Sequence, residues 1–176
     1  VATHFPFINK HGSYFLKMFQ HRSYVIALKN AQTIKDMYVD EASDGLSFRS
    51  YNDTLLLGGG SHRTGQKRGN WRELCEFANK YYPSSQIVQQ WATQDCMTLD
   101  KIPYIGRYSK STPNLYVATG FNKWGMSSSM TSATILRDLI CERKNDYAHI
   151  YSPSRTMLHP QLAVNVFESV KGLMTP

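Results

Sequence analysis

The sequence predicts an α+β fold: a mainly antiparallel sheet with packed helices, followed by one buried strand and helix of α/β character. Three observations carry this reading. Over residues 13–57, Tyr, Phe, Val, Ile and Leu alternate with polar residues in runs broken by turn formers. Residues 71–82 and 160–173 instead repeat their apolar side chains at helical spacing. The run Leu115-Tyr-Val-Ala-Thr-Gly-Phe-Asn-Lys-Trp-Gly-Met126 reads as a short buried strand entering a glycine-bracketed loop, then a helix rich in Ser, Thr and Ala.

Taken in order, residues 13–28 suggest one long strand or two consecutive ones, because their alternation is imperfect. Residues 36–39, 46–51 and 54–57 follow as short strands, with Asp44-Gly45 and Asn52-Asp53 as hairpin-like turns. Trp71, Leu74, Cys75, Ala78, Tyr81 and Tyr82 form one helical stripe, Asn70 with Glu73 suggests a capping box, and Pro83 stops the helix. Residues 86–98 return as a strand, followed after a turn by a second short strand ending at Gly106. Residues 126–142 form a helix with Arg137, Arg143 and Lys144 toward its C-terminal end, as the helix dipole prefers. Tyr151-Ser-Pro-Ser-Arg155 reads as a linker. Beyond it Pro160 suits a first helical turn, and Leu162, Val166, Phe167, Val170 and Leu173 share one face.

At 176 residues and 41% hydrophobic, the chain can bury one sizeable core. The net charge of +7 is spread along the chain, with one concentration at His62-Arg-Thr-Gly-Gln-Lys-Arg68 that reads as a solvated loop. Nucleic acid is therefore not the expected partner, although a stand-alone α+β binding domain whose basic loop meets an anion remains the alternative reading. No run reaches the roughly 18 apolar residues of a membrane span. Cys75, Cys96 and Cys141 are odd in number and widely spaced, which argues for a reducing, cytoplasmic setting. With no CxxC and no HxxxH, no metal site is expected within the chain.

Two glycine-rich stretches invite a cofactor reading. In Leu57-Gly-Gly-Gly-Ser-His-Arg-Thr-Gly65 a phosphate loop fails: Gln66 stands where the Walker lysine belongs, and Arg63 where GxGxxG needs glycine. These glycines read instead as a strand end where the backbone approaches a ligand or a neighbouring strand. Gly120, Phe121, Asn122, Lys123, Trp124, Gly125, Met126 and Ser127 are the stronger candidates. A strand-to-helix loop exposes free backbone N–H groups and the positive end of the helix dipole, which suits an anionic or electron-rich cofactor edge. His4 is either catalytic or a hydrogen-bonded structural histidine. The aromatic residues Tyr14, Phe15, Tyr24, Tyr51, Trp91 and Trp124 line a cavity or fill the core.

Trp91-Ala-Thr-Gln-Asp-Cys-Met-Thr-Leu-Asp-Lys-Ile-Pro-Tyr-Ile-Gly106 and the 115–126 run together resemble the C-terminal part of FAD-dependent amine and amino-acid oxidases, the D-amino-acid oxidase and glycine oxidase family. The likeness is greatest to the bacterial subgroup in which a Rieske [2Fe–2S] domain follows. The resemblance implies that residues 1–8 end a strand of the FAD domain, 9–100 form the substrate-binding domain, 101–150 close the FAD domain, and 151–176 are linker and terminal helix. It implies FAD in the full-length protein, with the dinucleotide-binding part upstream of Val1, and a [2Fe–2S] cluster outside this chain. It also implies oxidation of a C–N bond of an amine or amino-acid-like substrate by hydride transfer to flavin, with the isolated chain inactive. The Gly120–Ser127 amides and Lys123 would then stabilise negative charge on the reduced flavin.

The pattern breaks at one place. Trp91, Ala92, Thr98, Asp100, Pro103, Tyr104, Ile105 and Gly106 fall in register with glycine-oxidase-like relatives, but the arginine that grips the substrate carboxylate there is Asp95 here. Aspartate repels a carboxylate where arginine would pair with it. The expected substrate is thus an amine or other cation, unless Arg49 or Arg22 takes over, with Arg49, Tyr51 and Asp95 as the substrate-facing residues. Cys96 lies where sarcosine-oxidase relatives attach flavin, but its spacing to the next aspartate is shorter, so a free, partly buried thiol is expected. No catalytic acid or base is identified.

Overall fold

The alternation of apolar side chains in the first half of the chain builds a sheet with two different faces. In the computed structural model, which describes residues 2–3, 12–42, 45–66 and 70–174, the elements run β1 (Ala2–Thr3), α1 (Tyr14–Lys17), β2 (Met18–Lys29), β3 (Tyr38–Val39), β4 (Ser47–Tyr51), β5 (Thr54–Arg63), α2 (Arg72–Tyr81), β6 (Gln86–Thr98), β7 (Tyr104–Arg107), β8 (Tyr116–Thr119), α3 (Gly125–Ile140), α4 (Ala148–Tyr151) and α5 (Pro160–Met174). They divide into two units. One comprises residues 21–94 and the other residues 1–20 with 95–176.

The 21–94 unit holds a five-stranded sheet in the order β3-β4-β5-β2-β6: β3, β4 and β5 form an antiparallel meander, but β2 pairs with β5 rather than with the next strand in sequence. Ile26 lies opposite Leu57, which lies opposite Phe48, and this row points to one face. There Tyr24, Ile26, Leu28, Leu55 and Leu57 meet Leu74 and Ala78 of α2 in a buried core. The intervening row, Ala27, Leu56 and Arg49, points to the other face. Helix α2 begins one residue later than the expected capping box would place it: Trp71 is the N-cap residue, and the Asn70 side-chain carbonyl accepts the Arg72 N–H at 2.7 Å. Its apolar stripe is narrower than expected, because Tyr81 is exposed.

Two expectations change here. The strand that was to stop at Leu57 continues through the glycines to Arg63. Gly59 is required by packing: a Cβ would sit 2.7 Å from Leu46 Cδ2 and 3.1 Å from Leu74 Cδ2. The glycines thus admit a helix and a neighbouring loop, which is the close-approach reading without a ligand. Residues 14–17, expected to begin a strand, form instead a helical turn closed on the Ser13 carbonyl. Tertiary bonds override the alternation there, since Tyr14 donates to the Tyr108 carbonyl at 2.9 Å and Lys17 to the Pro153 carbonyl at 2.7 Å. Asp44, Lys67, Arg68 and His4, named above, lie outside the described residues.

The second unit holds a small sheet in the order β1-β8-β7, with β1 parallel and β7 antiparallel to β8. Its core is Tyr14, Met18, Cys96, Tyr104, Tyr108 and Val117. Helix α3 buries Ser128, Ser132, Ile135 and Asp138. Small side chains here satisfy themselves locally: the Ser132 hydroxyl donates to the Ser128 carbonyl at 2.7 Å. The segment after the short helix α4 is tied down by Arg155. Its guanidinium pairs with both Asp100 oxygens at 2.8 Å, donates to the carbonyls of Pro103, Tyr151 and Ser152, and lies 3.9 Å from the Tyr104 ring centroid.

Candidate functional site

The loop from Gly120 to Trp124 is built around one asparagine. Asn122 accepts the Thr98 N–H at 2.9 Å, donates to the Thr98 hydroxyl at 3.2 Å and to the Gly120 carbonyl at 2.6 Å, while its own N–H donates to the Cys96 carbonyl at 3.2 Å. The side chain is buried, so three of these bonds lock the end of β6 to the loop and the fourth, to Gly120, braces the loop itself. Three residues in this loop adopt positive φ: Gly120 at 71°, Asn122 at 49° and Lys123 at 71°. At Gly120 a Cβ would collide with the Thr98 side chain, so glycine is obligatory for packing as well as for conformation.

What the lock presents is the start of α3. Trp124 at the N-cap position makes no side-chain cap, so the first-turn amides of Gly125, Met126 and Ser127 have no intrahelical acceptor. A Cβ built on Gly125 meets nothing within 4 Å. Trp124 and Met126 are largely exposed, at 72% and 89%. An uncapped positive helix end, open at its first residue and flanked by exposed apolar side chains, can receive a flat, electron-rich ring edge.

Lys123 belongs to this loop, and Asp95 and Cys96 lie beside it. Desolvation lowers the Lys123 ammonium pKa, and the Asp95 carboxylate opposes that fall. Burial, reinforced by Asp95, pushes the Cys96 thiol up to about 11, so at neutral pH it is protonated and a poor nucleophile.

In the 21–94 unit, the sheet face opposite α2 carries a cavity of about 270 Å³ lined by Val25, Tyr38, Arg49, Leu56, Gly58 and Trp91 among others. Arg49 brings a cation into a mainly apolar bowl, and at Gly58 the Ser47 hydroxyl occupies the space a side chain would take. Tyr51 belongs to the same row but sits at the hairpin end, 64% exposed, and does not line the cavity. The Trp91 carbonyl accepts the Trp71 indole N–H at 3.2 Å. Sequence reasoning missed Asn122 as the keystone of the loop and Arg155 as the anchor of Asp100. A buried asparagine adopting left-handed geometry has no local sequence signature, and Arg155 meets its partners only after the chain folds back.

Against known proteins, residues 4–139 match the model of the DAO family, FAD dependent oxidoreductase. The chain belongs to this FAD-dependent oxidoreductase family. It is 40% identical over 169 residues to YhfW of Bacillus subtilis (strain 168), whose name designates a Rieske 2Fe-2S iron-sulfur protein; the match covers 92% of this chain and 33% of that protein. The chain thus spans about a third of this curated relative. Among solved structures, glycine oxidase from Geobacillus kaustophilus superposes with a TM-score of 0.65 at 19% identity, covering 80% of this chain and 40% of that one. L-amino acid deaminase from Proteus vulgaris gives 0.60 at 22% identity, covering 80% and 37%. These likenesses establish the fold and agree with the α+β expectation.

Proposed function

We propose that this chain is the substrate-side and flavin-ring portion of a larger FAD-dependent oxidoreductase that oxidises a C–N bond of an amine or amino-acid-like substrate. The observation that supports it most is the uncapped start of α3, held by the Asn122 lock and left open at Gly125. When bound, FAD supplies the two-electron acceptor for that oxidation. Toward its ring, the amides of Gly125, Met126 and Ser127 would offer donors, the helix dipole would favour negative charge, and Lys123 would add a cation. The rigid 120–124 turn would keep these donors pre-aligned, so that charge developing in the reaction meets fixed dipoles rather than mobile water.

The name of the relative raises the question of a [2Fe–2S] cluster. Among the described residues no three His, Cys, Asp or Glu side chains come together as a metal site. No step proposed here depends on such a cluster.

On substrate choice, Asp95 would disfavour a carboxylate, while Arg49, which lines the sheet cavity, would offer a cation to accept one. The test is steady-state turnover in the full-length protein of an amine and its α-carboxylated analogue. Asp95→Arg is expected to move the ratio of kcat/KM toward the carboxylated substrate by about tenfold or more, the scale of a charge-assisted hydrogen bond gained. Arg49→Gln is expected to depress the carboxylated substrate alone. Ratios unmoved by either change would remove both residues from substrate reading.

A further inference from the structure

A second cavity lies in the 95–176 part of the chain, away from the start of α3. It measures about 550 Å³ and is bounded by β7 at Ile105, Gly106 and Arg107, the following turn at Ser109 and Lys110, Leu139 near the far end of α3, and Ala148 with Ser152–Ser154. Its deeper parts are apolar: Ile105 is fully buried, and Pro153 Cδ lies 3.3 Å from where a Gly106 Cβ would stand. Gly106 has a φ of 140°, so a side chain there would be strained, and the wall stays bare.

The rim has the opposite character. Arg107 and Lys110 are exposed, and neither makes an ion pair among the described residues. No acidic side chain lines the cavity. Three serines complete the wall. Ser109 is fixed by its contacts with the Ser111 and Thr112 hydroxyls at 3.0 and 2.9 Å, and the Ser152 hydroxyl accepts the Ser154 N–H at 3.2 Å. Because the Tyr108 N–H donates to the Leu115 carbonyl, strand alternation turns the Arg107 amide away from β8. The edge strand thus adds a backbone donor that β8 does not take, beside two cations without an ion pair among the described residues.

The geometry points to a binding site for a small phosphate monoester with a compact apolar body, seated with its body toward Leu139 and Pro153 and its phosphate between Arg107 and Lys110. Two cations match the charge of about −1.5 to −2 that a phosphate monoester carries at neutral pH. Serine hydroxyls and a backbone amide match its three acceptor oxygens. The apolar floor separates this ligand from inorganic phosphate, and the cationic rim separates it from a neutral aromatic.

The site is independent of flavin chemistry, so it is tested by calorimetry in the full-length protein rather than by turnover. Phenyl phosphate is the probe, with benzyl alcohol and inorganic phosphate as controls. Phenyl phosphate is expected to bind saturably and at least about tenfold tighter than either control, as two charge-assisted contacts added to apolar burial require. The double variant Arg107→Gln with Lys110→Gln alters two exposed, unpaired side chains, so its melting temperature should stay that of the parent. Its affinity for phenyl phosphate should fall by about tenfold or more. Binding that survives the double variant would overturn the assignment, as would equal binding of benzyl alcohol or of inorganic phosphate.

Discussion

Gly120 and Gly125 lie five residues apart in one loop, yet their backbones face opposite demands. At Gly120 a methyl group would enter the Thr98 side chain while the backbone holds a φ of 71°. Gly120→Ala therefore combines a left-handed conformation with overpacking, and should cost about 2–4 kcal/mol. The expected readout is a melting temperature lower by roughly 5–12 °C. At Gly125 the same methyl group meets open space, so Gly125→Val should leave the melting temperature of the apoprotein nearly unchanged. In the full-length protein, however, a side chain at the first residue of α3 would stand between the free amides and a flavin ring. Gly125→Val should then lower flavin content after purification at unchanged apoprotein stability. Equal loss of stability and flavin would reduce Gly125 to a turn residue.

Among the elements, the 151–155 segment has the most specific anchoring. Burial alone would raise the Asp100 carboxyl, but the Arg155 guanidinium and the Ile102 amide hold it below the usual carboxylate range. A carboxylate with a depressed folded-state pKa contributes stability above its unfolded value of about 3.9, and that contribution disappears as pH falls through the folded value. Asp100→Asn leaves Arg155, whose side chain is only 12% exposed, without its ionic partner. The expected loss near neutral pH is about 2–4 kcal/mol, toward the lower side of a broken buried pair because Asp100 is partly hydrated. Thermal melts at pH 7, 5 and about 3 should show the gap between parent and variant closing only at the acid end. A gap that is constant with pH would mean that Asp100 contributes shape rather than charge.

At the scale of the whole molecule, the division of labour within the family sets what this chain can do alone. The sequence contains no GxGxxG, the motif that cradles a dinucleotide pyrophosphate at a helix start. In the proposed reading it offers only a loop that would meet the ring edge, a small part of FAD. Titration of FAD fluorescence with the isolated 176-residue chain should therefore show no saturable binding below about 100 μM, where only a minority of the contacts is available. Stoichiometric FAD in the purified chain would refute this. Among the described residues no helix is long and apolar enough to cross a membrane.

The sequence by itself determined the fold class, the strands 86–98 and 116–119, the helices over 72–81, 125–140 and 160–174, and the strand-to-helix loop between β8 and α3. These are local matters: period two or period 3.6 in apolar residues, a proline stop, glycines beside a helix start. Tertiary structure alone decided that Tyr14–Lys17 turns rather than extends, because the Tyr14 hydroxyl and the Lys17 ammonium reach carbonyls 94 and 136 residues away. It alone decided that Gly59 makes room for Leu46 and Leu74, that Asn122 locks the loop to Thr98, and that Arg155 holds Asp100 across 55 residues. Arg49 was legible as a cation on a strand, but its bowl exists only once strands distant in sequence are paired. Partners so far apart leave no periodicity in the chain, and their bonds form only after loop closure has been offset by the burial of both units' cores.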